Sequence, residues 1–178
     1  MAMNFVDLNP IIRLLMVEEL KLTISSNKLY QGKRLTPLGL QEWSNGLLSA
    51  IEAGNDVTLT NWLEQSGRLK TTEESTTNGV TRTKKVPYNA AQTLAEGEFN
   101  RFYIRAVCRQ ALNMKTGVVT AYRARYSENP RPESIAIDGR QYDAQALLND
   151  LRENTTTDAI NTALGMPPGV NSGMSVRL

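Results

Sequence analysis

Apolar positions along this chain fall mostly at helical spacing, and they set the first picture of its fold. The first run opens at Asn9-Pro10, where asparagine suits the N-cap and proline the first helical position. Ile11, Leu14, Leu15, Glu18 and Leu22 map one face, and Ile12, Met16 and Leu20 widen it. A helix to about Leu29 is predicted, with a stripe broad enough to touch more than one surface. A second helix begins at Thr36-Pro37, carries Leu40, Trp43, Leu47, Leu48 and Ile51, and stops at Gly54. A third, shorter one follows with Asp56 or Thr58 as cap and Leu59, Trp62 and Leu63 as its apolar face, ending at Gly67. Residues 10–66 therefore read as a small helical unit.

The pattern then changes. "RLKTTEESTTNGVTRTKKVPYN" is rich in threonine and nearly free of apolar side chains, with Asn78-Gly79 at its middle. Asn-Gly favours a two-residue hairpin turn because both residues tolerate positive φ. A hairpin of this composition has no apolar face of its own to bury, so two readings stand: a mobile loop, or an arm ordered by a neighbouring chain. Helical spacing returns at Asn89, where Asn89–Gln92 resembles a capping box and Thr93–Glu96 offers a second. Leu94, Phe99, Phe102, Tyr103, Ala106, Val107 and then Leu112 or Met114 are its expected core positions, and Thr116-Gly117 its stop.

Beyond it, "VVTAYRARY" alternates as a half-buried strand does. "SENPRPES" is a turn, and "SIAIDGRQY" reads as a second short strand with an Asp138-Gly139 turn. "YDAQALLNDLRE" is a helix with Asp143 at its start and Ala146, Leu147, Leu148 and Leu151 inward; "TTTDAINTALG" is a last short one. The Pro- and Gly-rich end reads as an extended tail. The fold class is α+β, mainly helical, around one central long helix. The predicted organisation is an N-terminal helix or arm at 1–34, a helical hairpin at 35–67, a polar β-arm or loop at 68–88, a core of long helix, β-hairpin and helix at 89–153, and a short helix with extended tail at 154–178.

Composition narrows the chemistry. The chain has no histidine, which removes the commonest general base, metal ligand and pH switch. Its one cysteine, Cys108, allows no intramolecular disulfide and no cysteine zinc site, and it reads as a small core residue on the long helix. Ser-His-Asp and Cys-His arrangements are ruled out. The acidic residues near the long helix match no metal-ligand spacing. No catalytic residue, cofactor or metal site is therefore expected. Ile11–Val17 is too short to span a bilayer and lacks a basic leader, so the chain reads as soluble, made in a reducing cytoplasm, without a membrane partner.

The net charge is only +2, so binding to nucleic acid would need a local basic face. The candidate is the row Arg101, Arg105 and Arg109, one turn apart on the long helix, joined by Arg123 and Arg125 on the strand and Lys84 and Lys85 on the arm. Two readings are open for the row Arg101, Arg105 and Arg109: a grip on phosphates, or ion pairs with Glu96, Glu98, Glu128, Glu133 or a partner's carboxylates. The helix pair at 36–66 has the spacing of a helix-turn-helix, but its second helix has no cation to hold phosphate.

The pieces Leu94–Arg101, Tyr122–Ala124, Pro130–Ser134 and Leu147–Arg152 resemble a group of short uncharacterised proteins of tailed phages and prophages; the resemblance spans roughly Leu35 to Arg152. It implies a virion protein made in the host cytoplasm: a non-enzymatic minor capsid, decoration (cement) or head–tail connector protein. Its partners would be other copies of itself and other virion proteins, held through its arms. The alternative is a phage-encoded nucleic-acid-binding accessory protein using the Arg101/Arg105/Arg109 face.

Overall fold

The computed structural model describes residues 2–169 and 172–178. It is α+β and mainly helical, as the apolar spacing predicts, and its centre is the long helix. The elements in order are α1 (Pro10–Ser25), α2 (Pro37–Ala53), α3 (Asp56–Glu64), β1 (Thr72–Thr77), β2 (Val80–Lys85), α4 (Ala90–Asn113), β3 (Val118–Arg123), α5 (Pro132–Ala136), β4 (Gln141–Asp143), α6 (Ala144–Glu153), α7 (Ala159–Ala163) and β5 (Met174–Arg177).

Helix α4 packs against α1, α3 and α6 and against β3 and β5. It is enclosed almost all round: Phe99, Phe102, Tyr103, Ile104, Ala106, Val107 and Cys108 are fully buried. A helix surrounded on every side normally reads as apolar throughout. This one instead carries Glu96, Glu98, Asn100, Arg101 and Arg105 into the interior, which is why its sequence looks amphipathic when its environment is not. The same core continues under α2 and α3, where Trp43, Leu47, Ile51, Leu59 and Leu63 are buried. Gly46 permits that packing, since a Cβ there would stand 2.6 Å from the Trp62 ring.

The N-terminal caps follow the sequence. Asn9 Oδ1 accepts from the Ile11 and Ile12 amides, each at 3.0 Å, with Pro10 behind it. Asn55 and Thr58 close a reciprocal capping box on α3, and Thr36 caps α2. Asn89 makes no side-chain cap bond on α4, contrary to the expected box.

Several expectations are corrected. Helix α1 ends at Ser25 rather than near Leu29, and Asn27 follows with φ 55°. Its buried face is Ile12, Leu15, Met16, Glu19, Leu20 and Thr23, while Ile11, Leu14 and Leu22 face outward. The outward set has the same period as the inward one and carries Glu18 and Lys21 as polar members, while the true core face hides Glu19 and Thr23 among its own, so the apolar pattern does not separate the two. Ala146 on α6 and Met114 after α4 are exposed. "SIA" is not strand but part of α5, entered through Pro132 at its first position, so only Gln141–Asp143 pairs with β3.

The largest correction concerns the ends. The predicted C-terminal tail contains β5, which pairs antiparallel with β3 (Ala121 opposite Val176) and makes the sheet order β4-β3-β5. Met174, Ser175 and Val176 are buried there, and Ser175 Oγ donates to Asn100 Oδ1 at 2.6 Å. The N-terminal segment is likewise held by this chain: Met3 and Phe5 are buried, Phe5 lies against Phe99 and Tyr103, and the Asn4 amide donates to the Ala124 carbonyl at 2.7 Å. The two ends meet where the Leu178 amide donates to Asp7 Oδ2 at 2.9 Å. Neither end needs a neighbouring chain to be ordered. Met1 and residues 170–171, which fall within the predicted first segment and tail, lie outside the described residues.

Candidate functional site

The arginine row is an internal brace. Arg105 donates from Nε and Nη2 to Glu19 Oε2 at 2.8 and 2.6 Å, and both side chains are buried. Arg109 lies 2.7 Å from Glu18 and 3.4 Å from Glu19. Arg152, from α6, also donates to Glu19, its Nε at 3.1 Å. One carboxylate on α1 thus gathers cations from α4 and α6 and ties three helices together. Burial alone would push Glu19 up, but the Arg152 hydrogen bonds and the Arg105 charge outweigh it and hold the carboxyl below its ordinary range.

Arg101 turns the other way. It donates to Glu98 at 3.0 Å and to the carbonyls of Asn154 and Thr156 at 2.8 and 2.7 Å, so it pins the end of α6 to α4. Glu98 Oε2 has no hydrogen-bond partner among the described atoms, and burial pushes the Glu98 carboxyl up despite Arg101. Glu96 is raised by burial too, although Gln92 and Arg125 bind it; Arg125 Nη1 lies 2.6 Å from Glu96 Oε2. Arg123 donates to Ser134 Oγ at 2.8 Å and holds α5 to the sheet.

Of the predicted pairs, Glu98 with Arg101 forms, whereas Glu96 meets Arg125 from beyond the strand rather than an arginine of the row. Glu128 and Glu133 form no ion pair with the arginine row among the described residues; its carboxylates come instead from Glu18 and Glu19, with Arg152 joining at Glu19, none of which the sequence reading assigned to an ion pair. A phosphate-tracking role for Arg101 and Arg105 would require undoing these bonds, because neither guanidinium reaches solvent. The α2–α3 pair offers no reading helix either: α3 turns Leu59 and Leu63 into the core and leaves Val57, Thr58, Asn61 and Glu64 outside.

Lys84 and Lys85 belong to a different surface. Strands β1 and β2 form a regular antiparallel hairpin, Thr72 opposite Lys85 through Thr77 opposite Val80. Asn78 and Gly79, with φ 52° and 76°, make the two-residue turn that the sequence predicts. Every residue of β2 is exposed, and β1 is exposed except for half-buried Glu73 and Ser75. The hairpin is fastened at its base. Arg34 donates to both oxygens of Glu73 at 2.7 and 3.0 Å, and Lys84 lies 3.4 Å from the same carboxylate. Arg34 foremost holds Glu73 at about 2. Below that clamp, Leu35 and Leu69 form an isolated antiparallel bridge that joins the hairpin's root to the helical unit. Tyr88, just after β2, is almost wholly exposed. Among the described residues, the hairpin's strands are the elements that bury least of themselves against the core.

Among the described residues no helix is long and apolar enough to cross a membrane, and no three acidic or cysteine side chains gather as metal ligands would. Comparison with family models, with curated proteins and with solved structures finds no match.

Proposed function

We propose that this chain is a non-enzymatic structural subunit of a tailed-phage particle, a minor capsid, decoration or head–tail connector protein, working through contacts between subunits. One observation carries the reading: an interior braced by ion pairs holds out a regular hairpin with hardly any side chain buried. Isolated two-stranded hairpins are marginal in water, so a ribbon of this kind is a binding element whose full ordering comes with a partner. The lack of histidine, the buried Cys108 thiol, which burial pushes up to about 12, and the resemblance of the 94–152 segments to phage proteins support the same reading. The test is mass spectrometry of purified particles from a producing host, wild type beside a hairpin deletion. The chain is expected in wild-type particles and depleted in particles of the deletion strain.

A second reading keeps nucleic acid but moves it from the arginine row to the arm, because Arg82 and Lys85 form no ion pair among the described residues and stand beside exposed threonines. Phosphate contacts of this kind weaken steeply with salt. A salt titration with Arg82→Ala/Lys85→Ala separates the two readings: affinity for duplex DNA that falls with salt and with these changes favours the second.

A further inference from the structure

The hairpin has two free long edges of opposite charge. β1 carries Glu73 and Glu74 and no cation; β2 carries Arg82, Lys84 and Lys85 and no acid. The Val86 amide donates to the Thr71 carbonyl at 3.0 Å, which fixes the alternation of the ladder. Residues 73, 75 and 77 exchange bonds with 84, 82 and 80, so the amides of Thr72, Glu74 and Thr76 point out from β1 and those of Thr81, Thr83 and Lys85 out from β2. Such rows of unpaired donors and acceptors are templates for another strand.

We propose that these edges recognise each other between copies of this chain, β1 of one against β2 of the next, and close a ring with a β-barrel of hairpins at its axis. The inference rests on the assembly reading above and names the partner. Charge chooses the pairing. β2 against β2 would set Arg82 or Lys84 opposite another cation, which is unfavourable, and β1 against β1 would gather acids with no cation to meet them. β1 against β2 keeps every strand antiparallel to its neighbours, and the two-residue stagger that lets a closed sheet tilt sets Glu73 opposite Arg82, or Glu74 opposite Lys85, of the next copy. The contact is head-to-tail, so it must close into a ring or grow without end.

Size favours closure. Two strands occupy about 10 Å of sheet per copy, whereas a compact chain of this length is about 40 Å across. Bodies that wide can share a sheet that narrow only by radiating from an axis with the hairpins inward. Closing the sheet removes both edges and lets each ribbon, which cannot bury a face alone, pair on both sides.

Native mass spectrometry and light scattering on the purified full chain test this. Wild type is expected to populate a ring of one size at raised concentration; a species that stays monomeric throughout overturns the proposal. Glu74→Pro removes an outward donor from β1, and Thr83→Pro one from β2, without touching the hairpin's own bonds. Each variant alone is expected to stop short of the ring, and an equal mixture to give one discrete heterodimer through the two intact edges. Monomers in the mixture, or a ring that survives removal of residues 71–86, overturn it. If the ring is absent but the 71–86 deletion still abolishes incorporation into particles, this inference fails and the assembly reading stands.

Discussion

A single carboxylate decides much of the interior. Glu19 meets Arg105, Arg109 and Arg152 at once, and removing one partner of a buried charge set leaves the rest uncompensated. Glu19→Gln is therefore expected to lower unfolding free energy by about 3–5 kcal/mol in urea titrations. Glu18→Gln, whose carboxylate is about half exposed, should cost under about 1 kcal/mol. The pH dependence has a sign that follows from the shifts. Glu19 is held below its ordinary 4.5, so its contribution is complete above that value and is lost as pH falls through the folded-state value. Glu98 is raised, so the contribution of its protonated form is present below 4.5 and is lost as pH rises through its folded-state value. Urea midpoints across the acid and neutral range should show Glu19→Gln losing the acid limb. Glu98→Gln, which still offers Arg101 an acceptor, should flatten the decline on the rising side. At Gly46, alanine is expected to push the Trp62 ring aside and to cost about 1–3 kcal/mol in the same assay.

At the level of elements, the two segments read as extensions part company. Replacing residues 71–86 with a short Gly-Ser link removes a hairpin that buries almost nothing, and the thermal midpoint measured by circular dichroism should move by no more than a few degrees. Truncation after Ser172 removes β5. That takes away two buried apolar side chains, worth about 1.5–3 kcal/mol each, and the Ser175–Asn100 bond. The expected loss is about 4 kcal/mol or more, with a broadened transition. In sequence the two segments look alike, polar and rich in turn formers. They differ because β3 offers β5 an open edge and Ala121 a neighbour for Val176, whereas nothing among the described residues covers β1 and β2.

On the scale of the whole molecule, a body whose ends meet through Asp7 and Leu178 carries an exposed ribbon, and the self-association proposed above is expected to rise with concentration and to require that ribbon. Most of the architecture was legible in the sequence. Asn9-Pro10, Thr36-Pro37 and Asn78-Gly79 each act over a few residues, through a cap, a fixed φ or a tolerated positive φ, and each element they predict is present. The long helix and its aromatic core followed from period alone. Three things required tertiary structure. Which of α1's two equal apolar stripes turns inward was decided by Arg105 and Arg152, distant in sequence, which stabilise Glu19 inside. The fate of the arginine row was decided the same way, since three cations one turn apart repel each other until carboxylates from α1 and the ends of α6 surround them. The last strand was decided by pairing, because four residues have too little periodicity to announce a strand and acquire one only when a partner edge satisfies their backbone. Local signals determine elements because their physics is local; burial of charge and completion of a sheet depend on residues that only the folded chain brings together.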